Sequence, residues 1–289
     1  MLVWIQAARI KTLYASLSPV MVGVALAANQ GSINVLVFIC TLIAAVFIQV
    51  GTNLANDYYD YKNGVDNKNR LGPDRVTQKG LLQPNQVKNG MIFSFIIALF
   101  FGFYLSFVGG WPIVLIGIVS ILSGVLYTGG SKPYGYIGLG DIFVFIFFGV
   151  IAVPGTYYLQ TNLISIPSIL CGLSCGALST SLIVVNNLRD MDNDRESGKM
   201  TLAVKLGSRF ACWEYAIMNA IAYIIILVLI LIFDFGMGLY LVLLLMPLSY
   251  NLSRTIFSKR GSDLNQFIGL TARHSILHFT LLSLMLIIQ

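Results

Sequence analysis

The sequence predicts an all-α polytopic membrane protein, built as a bundle of nine transmembrane helices. Of its 289 residues, 57% are hydrophobic and only 10% are charged, and the mean hydropathy of +0.81 is far above that of soluble domains. A membrane-spanning helix needs about 20 mainly apolar residues, and runs of this length recur nine times. Their length and the lack of alternation with period 2 argue against a membrane β-barrel.

The apolar runs follow one another through the whole chain, separated by shorter polar connections. Each run is read as one membrane helix, and together they span residues 13–29, 34–56, 89–108, 111–128, 139–159, 167–187, 211–232, 236–252 and 270–288. We expect them to form one domain over residues 1–289, in which polar helix ends are buried together.

The positions of the basic residues support both the number of helices and their orientation in the membrane. Two of them precede the first helix, six lie between the second and third, and Lys132 lies between the fourth and fifth. Five more lie between the sixth and seventh helices, and four lie around the start of the ninth. All 18 Lys and Arg residues therefore fall on one side, which the positive-inside rule assigns to the cytoplasm. The net charge of +6 indicates an inner-leaflet bias and not a nucleic-acid-binding surface.

The N-terminal run also allows another interpretation, because Ala25-Leu-Ala27 resembles a signal-peptide cleavage site. Cleavage there would leave eight spans and reverse the sides of all later charges, so we expect the segment to be retained. The four cysteines lie in or beside apolar runs without neighbouring histidines, which favours helix packing over metal binding.

Two polar stretches stand out because each follows a long apolar run. In the first, Asn53, Asp57 and Asp60 have the spacing i, i+4, i+7, which places them on one helix face. In the second, Asn187, Asp190 and Asp194 have the spacing i, i+3, i+7. Close carboxylates repel one another in a medium of intermediate dielectric, and a bound cation removes that cost. Ligands that are all oxygens favour a hard ion such as Mg²⁺.

Basic residues accompany both acidic stretches and point to a phosphate ligand. Arg70, Arg75 and Lys79 follow the first stretch in a turning loop, and Lys199 follows the second. Carboxylates, a metal ion and nearby Arg or Lys side chains together can hold a diphosphate. Lys132 is either a further diphosphate contact or a topology anchor.

The apolar bundle beneath such a site suggests an isoprenyl diphosphate whose tail lies among the helices. Loss of diphosphate would leave an allylic cation that aromatic faces can stabilise. Tyr127 is among the tyrosines nearest to the polar stretches.

At this point the chain resembles a known family, the UbiA membrane prenyltransferases, which share two Asp-rich motifs. Asn56-Asp57-x-x-Asp60 is similar to the first motif, and Asp190-x-Asp192-x-Asp194 with Gly198-Lys199 is similar to the second. Where the family often has a further Asp after the first motif, this chain has Gly64, with Asp66 two residues later. Within the family, the branch that prenylates 1,4-dihydroxy-2-naphthoate in menaquinone synthesis is the most similar. Further stretches carry this likeness: Trp4-x-x-Ala7-Ala8-Arg9-x-Lys11-Thr12-Leu13, Gly64-Val-Asp66, Arg70-x-Gly72-Pro73-x-Arg75, Gly135-Tyr136-x-x-Leu139-Gly140 and Gly198-Lys199-x-Thr201-Leu202-Ala203-Val204.

The resemblance implies an enzyme of the bacterial cytoplasmic membrane that transfers a polyprenyl chain from its diphosphate to the naphthoate ring, with decarboxylation. It implies Mg²⁺, or alternatively Mn²⁺, held by Asp57, Asp60, Asp190 and Asp194, with Asn56 and Asn187 assisting. Asp66 is the expected acceptor of the phenolic proton or an orienting group. The residues expected to bind substrate are Asn53, Asn56, Arg70, Arg75, Lys79, Tyr127, Lys132, Asn187 and Lys199.

Three other functions stay open from the sequence. One is a relative that uses another aromatic acceptor, such as 4-hydroxybenzoate, homogentisate or haem. Another is a cation or metabolite transporter, although its site would be expected near the bilayer midplane and not at helix ends. The third is a scaffold without activity. Tail length and oligomeric state are not predicted.

Overall fold

The computed structural model describes residues 2–66 and 71–288, and within them the chain is helical without a β-strand. Arg70, which the sequence suggests as a phosphate ligand, lies outside the described residues. We label the nine main helices α1 to α9 in chain order. Their bounds are Ile10–Asn29, Val35–Lys62, Pro84–Gly109, Trp111–Leu126, Gly140–Thr161, Ile166–Glu196, Ser208–Ile232, Met237–Ser258 and Asp263–Ile288.

Each of these helices matches one of the predicted spans, so the predicted all-α membrane fold is confirmed. Over the described parts of the chain, eight helices are long and apolar enough to cross a membrane. The remaining one, α4, has 16 residues and rises about 24 Å, which is short of the usual span. The count of nine is therefore approximate in this one place.

Helices α2 and α6 continue beyond the ends that their hydropathy predicts. α2 extends to Lys62, and α6 extends to Glu196, which is six and nine residues past the predicted limits of 56 and 187. Their last turns are polar but stay helical because they are buried against loops and neighbouring helices. Both acidic stretches consequently lie on rigid helix ends.

The two ends of the bundle are defined by hydrogen bonds between distant parts of the chain. At one end, the Asn34 backbone N–H donates to the Gln160 Oε1 at 2.7 Å, and the Tyr158 hydroxyl donates to the Gly109 carbonyl at 3.1 Å. At the other end, Asn193 on α6 donates through its Nδ2 to the Val65 carbonyl beyond α2, at 3.4 Å. This second contact brings the two acidic helix ends together.

Helices α5 and α6 approach each other closely through glycines. A Cβ atom at Gly149 would lie 2.6 Å from the Gly172 carbonyl oxygen, and one at Gly176 would lie 2.6 Å from the Phe145 carbonyl oxygen. The backbone of α5 widens to a π-helical turn at Ile146–Ile151 beside this contact. Such turns often occur at functional sites, and this one faces the cavity described below.

Candidate active site

The end of α2 is covered by the loop that follows it. The Asp57 side chain is buried, and its two oxygens accept hydrogen bonds from the backbone N–H groups of Val76 and Thr77, each at 3.2 Å. Both contacts fix the loop over the helix end. Asp57 thus orders the first acidic stretch as well as contributing charge to it.

Arg75 joins two buried carboxylates of this stretch. Its Nη2 lies 3.4 Å from the Asp60 Oδ2, and its Nε lies 3.5 Å from the Asp66 Oδ2. The Nη1 of Arg75 is buried and has no hydrogen-bond partner among the described residues. This nitrogen is therefore available to a ligand.

Tyr136 links the two acidic stretches. Its hydroxyl donates to the Asp60 Oδ1 at 2.7 Å, and the Lys199 ammonium lies over its ring, 5.9 Å from the centroid. Lys199 in turn lies 3.5 Å from the Asp194 Oδ1. Burial and the charge of Asp60 raise the pKa of Tyr136, so the hydroxyl stays protonated as the donor. Asp60, Tyr136, Lys199 and Asp194 therefore form one continuous group.

Asp190 is held differently from the other carboxylates. Both of its oxygens accept bonds from its neighbour Arg189, at 2.8 Å from Nε and 2.6 Å from Nη2. The Arg189 Nη1 also donates to the Asn265 Oδ1, and the Asn265 Nδ2 donates to the Leu71 carbonyl. For Asp190 to bind a metal ion, this bidentate pair would have to open.

An apolar cavity of about 810 Å³ begins beside the acidic helix ends and runs along the bundle. We call its polar end the head, which is formed by Asn53, Asn56, Tyr127 and Asn186. Asn53 donates through Nδ2 to the Ala8 carbonyl at 2.9 Å, which fixes its side chain. The lining contains no charged residue within the described chain, so the carboxylates lie outside the cavity, next to its head.

One wall of the cavity is a row of aromatic rings in contact. Tyr127 meets Tyr134 edge-on at 5.3 Å between centroids, and Tyr134 stacks on Phe143 at 4.0 Å. Phe143 continues to Phe147 at 6.1 Å, and all four rings line the cavity. The sequence predicted a role for Tyr127 alone among them.

Sequence reasoning missed Asp141, at the start of α5. Its side chain is buried, and the Asn187 Nδ2 donates to it, at 3.0 Å from Oδ1 and 3.3 Å from Oδ2. Within the described residues it forms no ion pair, and its charge helps burial to raise the pKa of Tyr127. Asp141 is an ionisable residue inside the predicted span 139–159. Because such residues within membrane spans are often functional, its position could have identified it as a candidate from the sequence.

Other predicted residues lie away from this group. Lys79 pairs with Asp74 at 3.2 Å on the exposed surface of the loop, and Lys132 is exposed. Among the described contacts, neither reaches Asp57, Asp60, Asp190 or Asp194. Asp192 pairs with Arg195 on the exposed side of α6.

The ionisable ligands of this site are carboxylates, whose oxygens suit a hard ion such as Mg²⁺. Among the described residues, no three His, Cys, Asp or Glu side chains are close enough to hold a metal ion by themselves. The Asp194 Oδ2 is nevertheless buried without a hydrogen-bond partner. Mg²⁺ usually binds through one or two carboxylates together with substrate phosphates. The residues therefore fit an ion whose coordination a diphosphate completes.

The chain is similar in sequence to proteins of one known family. The model of the UbiA prenyltransferase family matches residues 16–276. The chain is 41% identical over 213 residues to the 1,4-dihydroxy-2-naphthoate octaprenyltransferase of Escherichia coli, covering 71% of this chain and 68% of that protein. It is 38% identical over 227 residues to the enzyme of the same name from Haemophilus influenzae, covering 76% and 74%.

Solved structures with little sequence identity share the fold. A UbiA homolog from Archaeoglobus fulgidus bound to GPP and Mg²⁺ superposes with a TM-score of 0.74 at 14% identity, over 99% of this chain and 100% of that one. The apo structure of a UbiA homolog from Aeropyrum pernix K1 gives 0.74 at 14% identity, over 97% and 98%.

Proposed function

The chain belongs to the UbiA prenyltransferase family, and we propose that it transfers a polyprenyl group from its diphosphate to 1,4-dihydroxy-2-naphthoate. In this reaction the C–O bond to diphosphate breaks, and the first carbon of the prenyl chain bonds to the ring carbon that carries the carboxylate. That carboxylate leaves as CO₂, and the ring product is demethylmenaquinol. The enzymes named for this transfer in E. coli and H. influenzae support the assignment.

One observation carries the proposal: two acidic helix ends meet at the head of an apolar cavity. The contacts from Asp60 through Tyr136 and Lys199 to Asp194 join the ends of α2 and α6. The apolar cavity begins at Asn56, one turn before Asp60 on α2. A prenyl diphosphate likewise has a charged group at one end and a long apolar tail behind it.

Each residue has a role that its contacts suggest. Asp57, Asp60 and Asp194 hold Mg²⁺ together with the diphosphate, assisted by Asn56, and Asp190 joins them when its pair with Arg189 opens. When bound, Mg²⁺ or Mn²⁺ neutralises the departing diphosphate as a Lewis acid. Lys199 and the Nη1 of Arg75 supply further positive charge, and the sequence alone suggests the same role for Arg70. Lys79 and Lys132 contact a diphosphate only if their loops close over it.

The cavity head receives the reacting carbon and the acceptor ring. Tyr127 and the aromatic row beneath it face the developing allylic cation, which their electron-rich faces stabilise without trapping it. Asn53 shapes the head, because its Nδ2 is bonded to the Ala8 carbonyl and the Thr12 hydroxyl. Asn56, whose Oδ1 accepts from Thr128, offers its amide nitrogen to the acceptor. Since Asp66 is paired with Arg75, we assign it to orienting the guanidinium. Asn187 is assigned to holding Asp141.

The location of the reaction follows from the charge distribution. The chain is a polytopic membrane protein, and the site lies at the bundle end that carries the basic residues. The positive-inside rule assigns that end to the cytoplasm. Both the diphosphate and the naphthoate would therefore enter from the cytoplasmic side of a bacterial membrane.

The proposal is tested with purified protein in lipid nanodiscs, Mg²⁺ and farnesyl diphosphate. Four acceptors are offered in parallel: 1,4-dihydroxy-2-naphthoate, 4-hydroxybenzoate, homogentisate and haem. We expect mass spectrometry to find a prenylated, decarboxylated product from the naphthoate, and none in EDTA. Transfer to another acceptor in preference to the naphthoate would refute the assigned substrate, and no transfer to any of them would refute the enzyme.

A further inference from the structure

Three of the glycines that line the cavity lie on three different helices and leave the middle of the cavity open. They are Gly102 on α3, Gly117 on α4 and Gly155 on α5. No atom of a neighbouring element lies within 4 Å of a Cβ built at Gly102 or Gly117, and at Gly155 the nearest atom is 3.6 Å away. Gly124 also lines the cavity, but a Cβ there would lie 2.3 Å from the Thr52 Oγ1. Gly124 therefore serves helix packing, whereas the other three leave space.

These three glycines lie at a common depth. Gly102 precedes the end of α3 by seven residues, Gly117 follows the start of α4 by six, and Gly155 precedes the end of α5 by six. At 1.5 Å per residue, each lies about 9–11 Å from the same end of the bundle. We call these three positions the glycine level.

The glycine level is separated from the cavity head by a measurable length. Ten residues of helix separate Gly117 from Tyr127, or about 15 Å along α4. One isoprene unit contributes four chain bonds and extends about 5 Å, since three backbone bonds extend about 3.6 Å. The first two units of a tail therefore fit between the head and the glycine level, the third reaches it, and the fourth passes it.

We propose that the glycine level determines which tail lengths the enzyme accepts. Because no side chain fills the cavity there, tails longer than about three units pass through. A bulky side chain at Gly117 or Gly102 would close the passage and leave room only for short tails. This inference rests on the proposed function, since the occupant of the cavity is the tail of the prenyl diphosphate.

The cavity walls around this level are consistent with a passing tail. Leu99 and Phe103 flank Gly102, and Val114 and Ile118 flank Gly117; all four line the cavity, and 44% or more of each residue is accessible. Such accessible apolar side chains leave a path from the cavity between α3 and α4 towards lipid. A tail that passes the glycine level can continue into the membrane there.

The test compares tail lengths in variants with added bulk. Gly117→Leu and Gly102→Leu are assayed with geranyl, farnesyl and geranylgeranyl diphosphates, which increase by one unit each, and with 1,4-dihydroxy-2-naphthoate. Gly269→Leu is the matched control, because Gly269 is an exposed glycine of α9, also without neighbours within 4 Å, and does not line the cavity.

For each cavity variant we compare kcat/KM for geranylgeranyl diphosphate with kcat/KM for geranyl diphosphate. We expect this ratio to fall at least about tenfold, because the added side chain overpacks the space that the longer tail needs. Activity with geranyl diphosphate should stay near wild type, and Gly269→Leu should keep the wild-type ratio. Unchanged ratios in both cavity variants, or equal losses at every tail length, would overturn the inference. Failure of the wild-type protein to prenylate the naphthoate would instead overturn the proposed function.

Discussion

Replacement of Arg75 tests how the first acidic stretch is held together. Its side chain is 9% exposed, and its guanidinium pairs with Asp60 and Asp66, whose side chains are 4% and 0% exposed. Removing one partner of a buried pair costs about 3–5 kcal/mol because the other charges stay buried. The distances of 3.4 and 3.5 Å exceed the optimum for such pairs, so we expect the lower end of this range.

Arg75→Met should therefore lower the free energy of unfolding by about 3 kcal/mol. Lys79→Met is the control, because Lys79 pairs with Asp74 on the exposed surface, where such pairs contribute about 1 kcal/mol or less. Reversible unfolding in mixed micelles without Mg²⁺ measures both variants. Equal stability of Arg75→Met and Lys79→Met would refute the idea that Arg75 holds the two carboxylates.

The remaining predictions concern charge and topology. Asp194→Asn should fold normally but lose at least about tenfold in kcat, since its free oxygen is assigned to Mg²⁺; wild-type turnover would exclude it as a ligand. Asp141→Asn should reduce kcat with little change in either KM, because a fixed negative charge behind Tyr127 favours the cation, and Asp141→Glu should restore part of the rate. An equal loss in both variants would mean that Asp141 serves packing alone. In intact cells, a cysteine at position 195 should be shielded from an impermeant thiol reagent and one at position 234 should be labelled; the reverse pattern would contradict the orientation.

The fold was largely predictable from local sequence because a membrane helix can be recognised from the length and apolarity of its own segment. The shared face of Asn53, Asp57 and Asp60 followed from helical spacing, and α2 is indeed helical through Lys62. Hydropathy could not show that α2 and α6 stay helical in their polar last turns, because that depends on burial by other segments.

Much of the site was not predictable because it depends on contacts between distant residues. Asp190 has the spacing of a metal ligand, yet its neighbour Arg189 occupies both oxygens and extends to Asn265 near the start of α9. Likewise, Asn187 reaches across to Asp141 on α5. Spacing within one helix gives the face of a residue but not the partner that the fold brings to it.

The two acidic helix ends are proposed to hold a prenyl diphosphate jointly through Mg²⁺. Isothermal titration with farnesyl thiodiphosphate, which resists loss of the leaving group, tests it without turnover. We expect binding in Mg²⁺, and a loss of affinity of at least about tenfold in EDTA, in Asp60→Asn and in Asp194→Asn, one from each helix end. Binding of equal affinity in EDTA and in both variants would contradict it.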